Sequence, residues 1–321
     1  MTPILNLASE QQRRQAEKLR RELGPVVLQA LHDPRVVEVM LNPDGKLWVD
    51  VLGEGLQDTG ASMAQAQAEN LLGTVAALLG TVITAERPLL EGELPLDGSR
   101  FQGVLPPVVA NPTFAIRKRA VQVWTLADYV TQGLLTTTHA GAIRDAVIQR
   151  RNLLVVGGTS SGKTTLANAI LAVIADQAGD QERLVLLEDT VELQCTAPNQ
   201  VALRTTETID LTRLLRATLR LRPDRIIVGE VRGGEALALL KAWNTGHSGG
   251  LATVHANSAE AGLLRLEQLI QEAGVPPQPA LIAEAIHLLV AVVKEGGRRA
   301  VQAVLAVHGW TSADGYHLQP L

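Results

Sequence analysis

A glycine-rich segment that ends in a lysine and two threonines carries the clearest chemical signal in the sequence. Its G-x-x-x-x-G-K-[ST] spacing is typical of a phosphate-binding loop. The glycines allow successive backbone N–H groups to converge on phosphate oxygens. We predict that the lysine reaches the β- and γ-phosphates of a nucleoside triphosphate and that the first threonine hydroxyl ligates Mg²⁺. The segment comprises Gly157, Gly158, Thr159, Ser160, Ser161, Gly162, Lys163, Thr164 and Thr165.

The residues on either side of this loop support the same interpretation. The apolar run at 153–156 predicts a buried strand, and a helical pattern follows with Leu166, Ala169 and Ile170 on one face. The order strand, loop, helix is the one that a phosphate-binding loop requires. The alternative is a simple glycine turn between a strand and a helix.

Two further apolar runs end in acidic residues. The run at 183–187 ends in Glu188-Asp189, with Glu192 close by, and the run at 225–228 ends in Gly229-Glu230. Because ligands bind at the carboxyl ends of strands in open α/β sheets, both carboxylates are candidates for a shared site. Glu230 has the features of a Walker B element, which orients Mg²⁺ or the attacking water. The alternative for each is a surface carboxylate at a strand end.

Histidines and arginines add candidates with more than one interpretation. His247 and His255 flank the apolar strand at 251–254, and each could sense a γ-phosphate or be a packed, hydrogen-bonded histidine. A metal site is disfavoured because no cysteine or carboxylate is nearby in sequence. In the first half, basic side chains could be ordinary surface charge, or one or two could complete a nucleotide pocket; these are Arg87, Arg100, Arg117, Lys118 and Arg119.

Length and residue patterns indicate two domains. The chain has 321 residues, which is longer than one typical domain, and its 46% hydrophobic content is enough to form a core. We predict a smaller α+β domain at 1–130, a linker at 131–138 and an α/β domain at 139–321. The first domain begins with a polar helix at 9–23, capped by Ser9 and stopped by Gly24-Pro25. In the second, four strands alternate with helices and a hairpin at 288–307 follows, which predicts a mostly parallel sheet.

Charge and cysteine content exclude several function classes. The net charge of −4 gives no support for nucleic-acid binding, and the single Cys195 excludes an intrachain disulfide or a cysteine-cluster zinc site. Apolar runs are too short to span a bilayer. We therefore expect a cytoplasmic protein whose contact with a membrane is peripheral or through a partner.

Four motifs together resemble the secretion and traffic ATPases, and within them the conjugative-transfer ATPases of bacterial type IV secretion. The first is the phosphate-binding loop, and the second is Leu-Glu-Asp-Thr-Val-Glu-Leu at 187–193. The third is Leu-Arg-Pro-Asp-Arg-Ile-Ile-Val-Gly-Glu-Val-Arg-Gly-Gly-Glu at 221–235, and the fourth is Asn-Thr-Gly-His-Ser-Gly-Gly-Leu-Ala-Thr-Val-His-Ala-Asn-Ser at 244–258. A generic phosphate-loop protein has neither of the last two.

This resemblance implies a RecA-like motor domain with a smaller N-terminal domain, acting as a homohexamer that hydrolyses ATP with Mg²⁺. It assigns Glu230 as the catalytic glutamate and Glu188 as a second acidic residue that positions water or Mg²⁺. It assigns His255 to coupling nucleotide state to the helices, and it suggests that Arg100 and Arg117 contact nucleotide. The implied partners are other secretion-channel ATPases and inner-membrane subunits, with the motor peripheral to the inner membrane.

Three other functions remain open on sequence grounds. A pilus extension or retraction motor, or a type II secretion motor, would share the same core, although the type II motors usually carry a four-cysteine zinc module. A DNA or RNA translocase is disfavoured by the acidic net charge and the lack of basic-aromatic clusters. The last is a nucleotide-gated scaffold that does not hydrolyse ATP.

Overall fold

A computed structural model describes residues 10–119, 124–206, 208–295 and 298–321. The chain divides into two compact units, Met1–Val121 and Gln122–Leu321. The linker predicted at 131–138 therefore lies inside the second unit, where Leu135 is buried. The threonine run that suggested a linker instead begins a helix, since the Thr136 hydroxyl accepts a hydrogen bond from the His139 N–H.

The first unit is a six-stranded antiparallel sheet with strand order β3-β2-β1-β6-β5-β4. Alternate residues of the central strands are buried, among them Val39, Phe101 and Ile116, and they form one core with apolar residues of both helices. The predicted α+β character and the hairpin around residues 42–45 are confirmed. The elements are α1 (Glu10–His32), β1 (Val36–Leu41), β2 (Lys46–Val51), β3 (Gly55–Ser62), α2 (Gln65–Leu78), β4 (Leu89–Glu93), β5 (Arg100–Val104) and β6 (Thr113–Arg117).

Helix α1 consists of two helical segments. The expected stop at Gly24-Pro25 is confirmed for the first segment, because Gly24 is non-helical, and a second segment that was not predicted continues to His32. Gly24 has φ 76° and ψ 168°, and Pro25 then starts a new helical segment, where its missing N–H costs no hydrogen bond. The proposed cap Ser9 lies outside the described residues.

The second unit contains an eight-stranded sheet of order β14-β13-β12-β7-β11-β10-β8-β9. The six strands from β12 to β9 in this order are parallel, and β13 and β14 are antiparallel additions. Its elements are α3 (Leu126–Thr131), α4 (Thr137–Ile148), β7 (Leu153–Gly157), α5 (Lys163–Ala178), β8 (Leu184–Glu188), β9 (Gln200–Arg204), α6 (Leu211–Thr218), β10 (Arg225–Val231), α7 (Glu235–Asn244), β11 (Leu251–His255), α8 (Ala259–Gln271), α9 (Pro279–Ala285), β12 (Leu288–Glu295), β13 (Arg298–Thr311) and β14 (Gly315–Pro320).

Helices cover both faces of this sheet, which explains why its central strands are uninterrupted apolar runs. On β7, Leu153 and Val155 belong to one core, whereas Leu154 and Val156 belong to the core on the opposite face. The carboxyl ends of β7, β8, β10 and β11 meet at one edge, so the candidate residues at those ends are brought together. No helix of the described residues is long and apolar enough to cross a bilayer.

Candidate functional site

The glycine-rich loop connects β7 to α5 with the backbone that the sequence predicts. Gly162 has φ 95°, in the left-handed region, and directly precedes the first residue of α5. A Cβ at Gly157 would come within 2.6 Å of the Val292 carbonyl oxygen, so only glycine fits there. The Ser161 hydroxyl is buried without a hydrogen-bond partner among the described residues. These features, with the N-terminus of a 16-residue helix, suit an anionic ligand.

Lys163 lies at the centre of the candidate site. Its Nζ donates to the Gly158 carbonyl oxygen at 3.1 Å, lies 3.5 Å from Nδ1 of His255 and is 3.7 Å from Oε1 of Glu230. The hydroxyl of Thr159 is 3.4 Å from Nε2 of the same histidine. The structure therefore brings together three predicted groups from separate elements, namely the loop lysine, the β10 glutamate and the β11 histidine.

Glu230 has a second cationic partner that sequence analysis did not single out. Nε of Arg232 donates to Oε2 of Glu230 at 2.7 Å, and an arginine N–H donates to Asp189 at 3.4 Å. Burial opposes the charge on Arg232, but the neighbouring carboxylates, Glu230 first, raise the pKa of its guanidinium. The Glu230 carboxylate is thus held between two cationic side chains, Lys163 and Arg232.

Glu188 occupies the space left by the missing side chain of Gly229. A Cβ at Gly229 would lie 3.0 Å from Cγ of Glu188. The Glu188 side chain is buried, and its Oε1 accepts hydrogen bonds from the N–H groups of Glu192 and Leu193 at 2.9 and 2.8 Å. These bonds fold the segment after β8 back toward the phosphate-binding loop.

The segment after β8 brings the Glu192 carboxylate, rather than that of Glu188, into contact with Thr164. The Thr164 hydroxyl donates to Oε2 of Glu192 at 2.9 Å. Asn168 of α5, which is 2% exposed, fixes the same segment by donating to the Glu192 carbonyl oxygen and accepting from the Gln194 N–H. Glu192, rather than Glu188 or Glu230, is therefore the carboxylate that contacts Thr164, the threonine predicted to ligate Mg²⁺.

A magnesium ion bound with a nucleotide fits this donor set. Mg²⁺ is commonly held by one or two protein oxygens together with phosphate oxygens and waters. Thr164 and Glu192 supply one hydroxyl and one carboxylate. Within the described ranges, no group of three or more His, Cys, Asp or Glu side chains is arranged to hold a metal on its own. Mg²⁺ at Thr164 and Glu192 would take its further ligands from nucleotide phosphates and waters.

The remaining predicted residues lie elsewhere. Arg100 and Arg117 are cross-strand partners in the first unit, flanked in register by Glu93 on β4 and Glu38 on β1. All four side chains lie on the face opposite the apolar core, because the buried residues alternate with them. His247 is 3.2 Å from the Ala242 carbonyl oxygen and is a packed, hydrogen-bonded histidine.

Asn152 is a structural part of the site that the sequence did not indicate. It precedes β7 and is fully buried. Its Oδ1 accepts from the N–H groups of Gly249 and Gly250 at 2.8 and 3.0 Å, and its Nδ2 donates to the Ala285 carbonyl oxygen at 2.7 Å. It thus joins the start of the loop strand to the loop before β11, the strand that carries His255.

Comparisons with known proteins agree with this geometry. The family model described as "Type II/IV secretion system protein" matches residues 64–302. A probable conjugal transfer protein TrbB of Sinorhizobium fredii is 51% identical over 92% of this chain and 90% of its own length. The type IV secretion system protein PtlH homolog of Bordetella bronchiseptica is 35% identical over 87% of this chain and 93% of its own.

Solved structures share the fold. The Legionella pneumophila ATPase DotB matches with a TM-score of 0.62 at 18% identity, over 87% of this chain and 79% of DotB. The pilus retraction motor PilT with bound ADP matches with a TM-score of 0.59 at 17% identity, over 92% and 80%. The predicted fold class and the predicted family resemblance are both confirmed, and the chain belongs to the type II/IV secretion system protein family.

Proposed function

We propose that this protein hydrolyses ATP to ADP and phosphate and thereby powers a bacterial type IV secretion machine of the conjugative kind. The observation that carries the proposal is the convergence of Lys163, Glu230 and His255 at a phosphate-binding loop, with Thr164 held by a carboxylate. The 51%-identical relative over nearly the whole chain carries a conjugal-transfer name, which favours conjugation over a pilus motor.

The loop residues bind and orient the triphosphate. Backbone N–H groups and the N-terminus of α5 face the phosphates, and Lys163 neutralises the charge that develops on the γ-phosphoryl group. Thr164 and Glu192 would hold Mg²⁺, which offsets negative charge on the β- and γ-phosphate oxygens. The predicted set of Thr164, Glu188 and Glu230 thereby gains Glu192 as the carboxylate at the threonine.

Glu230 is the better candidate for the catalytic base. Oε1 of Glu188 already accepts hydrogen bonds from two backbone N–H groups that hold segment 188–193 in place, so this oxygen is less available to accept a proton from water. Glu230 faces Lys163, and Arg232 holds its other oxygen. A carboxylate fixed in this way orients a water for attack on the γ-phosphorus. His255, which lies within 3.5 Å of both Lys163 and Thr159, couples the state of the γ-phosphate to the helices.

Two substitutions test the catalytic assignment. Lys163→Ala should lower ATP turnover by about 100-fold or more, because a preorganised charge at the transferring group is lost. Glu230→Gln should keep ATP binding but lower turnover by a factor of about 10² to 10⁴. Phosphate release and fluorescent-nucleotide binding measure the two effects. Lys241→Ala, an exposed lysine on α7, is the matched control. An inactive Glu188→Gln beside an active Glu230→Gln would reverse the choice of base.

A third substitution tests the metal assignment without relying on turnover. Glu192→Gln should raise the Mg²⁺ concentration needed for half-maximal ATP binding by about tenfold or more, since outer partners of a metal ligand commonly affect affinity to this extent. The exposed helix residue Glu260 supplies the control Glu260→Gln. An unchanged Mg²⁺ requirement would remove Glu192 from the metal site.

We also propose the assembly that the family resemblance suggests. The protein acts as a homohexamer, peripheral to the cytoplasmic face of the inner membrane, beside other secretion ATPases and inner-membrane subunits. Arg100 and Arg117, which are cross-strand partners in the first unit, bind nucleotide phosphates in this assembly. Mass measurement in solution should give six copies with ATP and Mg²⁺, and a monomer under these conditions would contradict the ring. Substitution of either arginine by alanine should lower turnover without unfolding the chain.

A further inference from the structure

The hydrolytic groups occupy only one side of the loop strand. In the sheet, β11 and β10, which carry His255 and Glu230, lie on one side of β7. On the other side, β12 runs parallel to β7 with Val292 opposite Gly157, and then continues beyond the end of β7 to Glu295. Strands β12 and β13 therefore extend beyond the end of β7, next to the phosphate-binding loop.

This asymmetry fixes the direction of a bound triphosphate. The γ-phosphate must lie at the Lys163, Glu230 and His255 cluster, because the groups that attack it are there. The α-phosphate and the nucleoside then extend to the opposite side of the loop. Among the described residues, strands β12 and β13 lie on that side of β7 in the sheet.

Arg299 of β13 lies directly over the loop. A Cβ built on Gly162 would be 3.1 Å from Cδ of Arg299 and 3.9 Å from its Nε, so the aliphatic part of the arginine packs on the glycine that precedes α5. The register pairs Arg299 with Lys294 of β12. A second positive charge thus lies beside the first, near the positive end of the α5 dipole.

The charge of Arg299 is not neutralised by the described part of the chain. Its side chain is half-buried, and no salt bridge or hydrogen bond joins its guanidinium to a described residue. Burial raises the pKa of Tyr129, and the positive charge of Arg299 partly opposes this, which shows that the guanidinium lies within electrostatic reach of the α3 tyrosine. A half-buried arginine beside a phosphate-binding loop offers an anion charge-assisted hydrogen bonds.

We propose that strands β12 and β13 form the nucleoside-side half of the nucleotide site and that Arg299 donates hydrogen bonds to the α-phosphate. This inference rests on the proposed ATPase function and adds a residue that acts on the ground-state nucleotide. Since the α-phosphate is common to ADP and ATP, Arg299 should contribute equally to the binding of both. Lys163, in contrast, should discriminate in favour of ATP.

The test is calorimetry, in which ADP or ATP is titrated with Mg²⁺ into the protein to measure its affinity. The proteins compared are wild type, Arg299→Gln, Arg299→Lys and Arg213→Gln. A charge-assisted hydrogen bond corresponds to about 10- to 100-fold in affinity, so Arg299→Gln should weaken ADP and ATP alike by a factor in this range. Arg299→Lys keeps the charge and the aliphatic stem and should recover part of the loss. Arg213, an exposed arginine of α6, is the matched control and should bind as wild type does.

Two outcomes would overturn the inference. One is affinity within twofold of wild type for both nucleotides. The other is a loss of affinity for ATP alone, which would indicate that Arg299 contacts the γ-phosphate instead of the α-phosphate. The apo unfolding temperature excludes a purely structural effect, and if Arg299→Gln is destabilised, the ADP-to-ATP comparison is made on the lysine variant. Wild type that neither binds nor hydrolyses ATP would instead refute the proposed function.

Discussion

Removal of the Asn152 side chain should be among the most damaging single changes in the second unit. Asn152→Ala deletes three hydrogen bonds at a fully buried position and leaves the N–H groups of Gly249 and Gly250 and the carbonyl oxygen of Ala285 without that partner. A buried polar group that loses its partner costs about 1–3 kcal/mol. Allowing for relaxation, we expect a loss of about 3–6 kcal/mol in the free energy of unfolding.

Such a loss is a large part of the 5–15 kcal/mol typical of folded domains. Urea unfolding at 25 °C, followed by tryptophan fluorescence, measures it, because Trp243 is buried in a core of the second unit and its indole N–H donates to the Ile226 carbonyl oxygen. Asn244→Ala, at the exposed end of α7, should stay within about 0.5 kcal/mol of wild type. A loss below about 1 kcal/mol for Asn152→Ala would show that these bonds are readily replaced and that the reasoning is wrong.

Three further predictions concern the same sheet edge and its opposite end. Burial first, and the charge of Arg151 second, lower the pKa of His287 below its ordinary 6.5. The neutral ring, whose Nδ1 accepts from the Asn152 N–H, therefore stabilises the fold fully above about pH 6.5, and this contribution is lost as the pH falls; His287→Gln should flatten the pH dependence of urea midpoints between pH 7 and 5. Gly250→Ala would put a methyl against the Trp243 indole and 2.5 Å from the Ile226 carbonyl oxygen, so overpacking should lower stability by about 1–3 kcal/mol or more in the same assay. Gly162→Ala forces alanine to φ 95° and brings its methyl group against the Arg299 side chain, so nucleotide affinity should fall at least tenfold. Gly133→Ala is the control, because Gly133 also has a positive φ but no neighbour within 4 Å, and it should leave nucleotide affinity unchanged.

Elements with strong local signals could be predicted from the sequence. The phosphate-binding loop, β8, β10 and β11 have residue types that leave few alternatives, because buried parallel strands are continuous apolar runs. Strand β9 was missed because its residues alternate between exposed and half-buried at the sheet edge, which gives a weak pattern. Strand β3 was missed for the same reason, since no residue in it is fully buried, and β14 likewise.

The contacts within the site depend on the tertiary fold and could not be predicted in this way. The position of Glu192 on Thr164 requires the segment after β8 to fold back, which in turn requires Gly229 to leave room for Glu188. Asn152 carries no motif, and its role appears only when residues about 100 and 130 positions away are brought to it. Arg299 was part of a predicted hairpin, but its contact with Gly162 joins opposite ends of the second unit's sequence.

Gly229 has no side chain, and this has a mechanical consequence for the proposed magnesium site. A carboxylate at residue 229 would be fixed on strand β10, whereas Glu192 lies on an irregular connection between β8 and β9. Connections of this kind shift more readily than strands do. A neighbouring molecule that displaced this connection would withdraw the carboxylate from Thr164 and leave the phosphate-binding loop unchanged, so in the proposed site magnesium affinity would fall while nucleotide contacts with the loop remain.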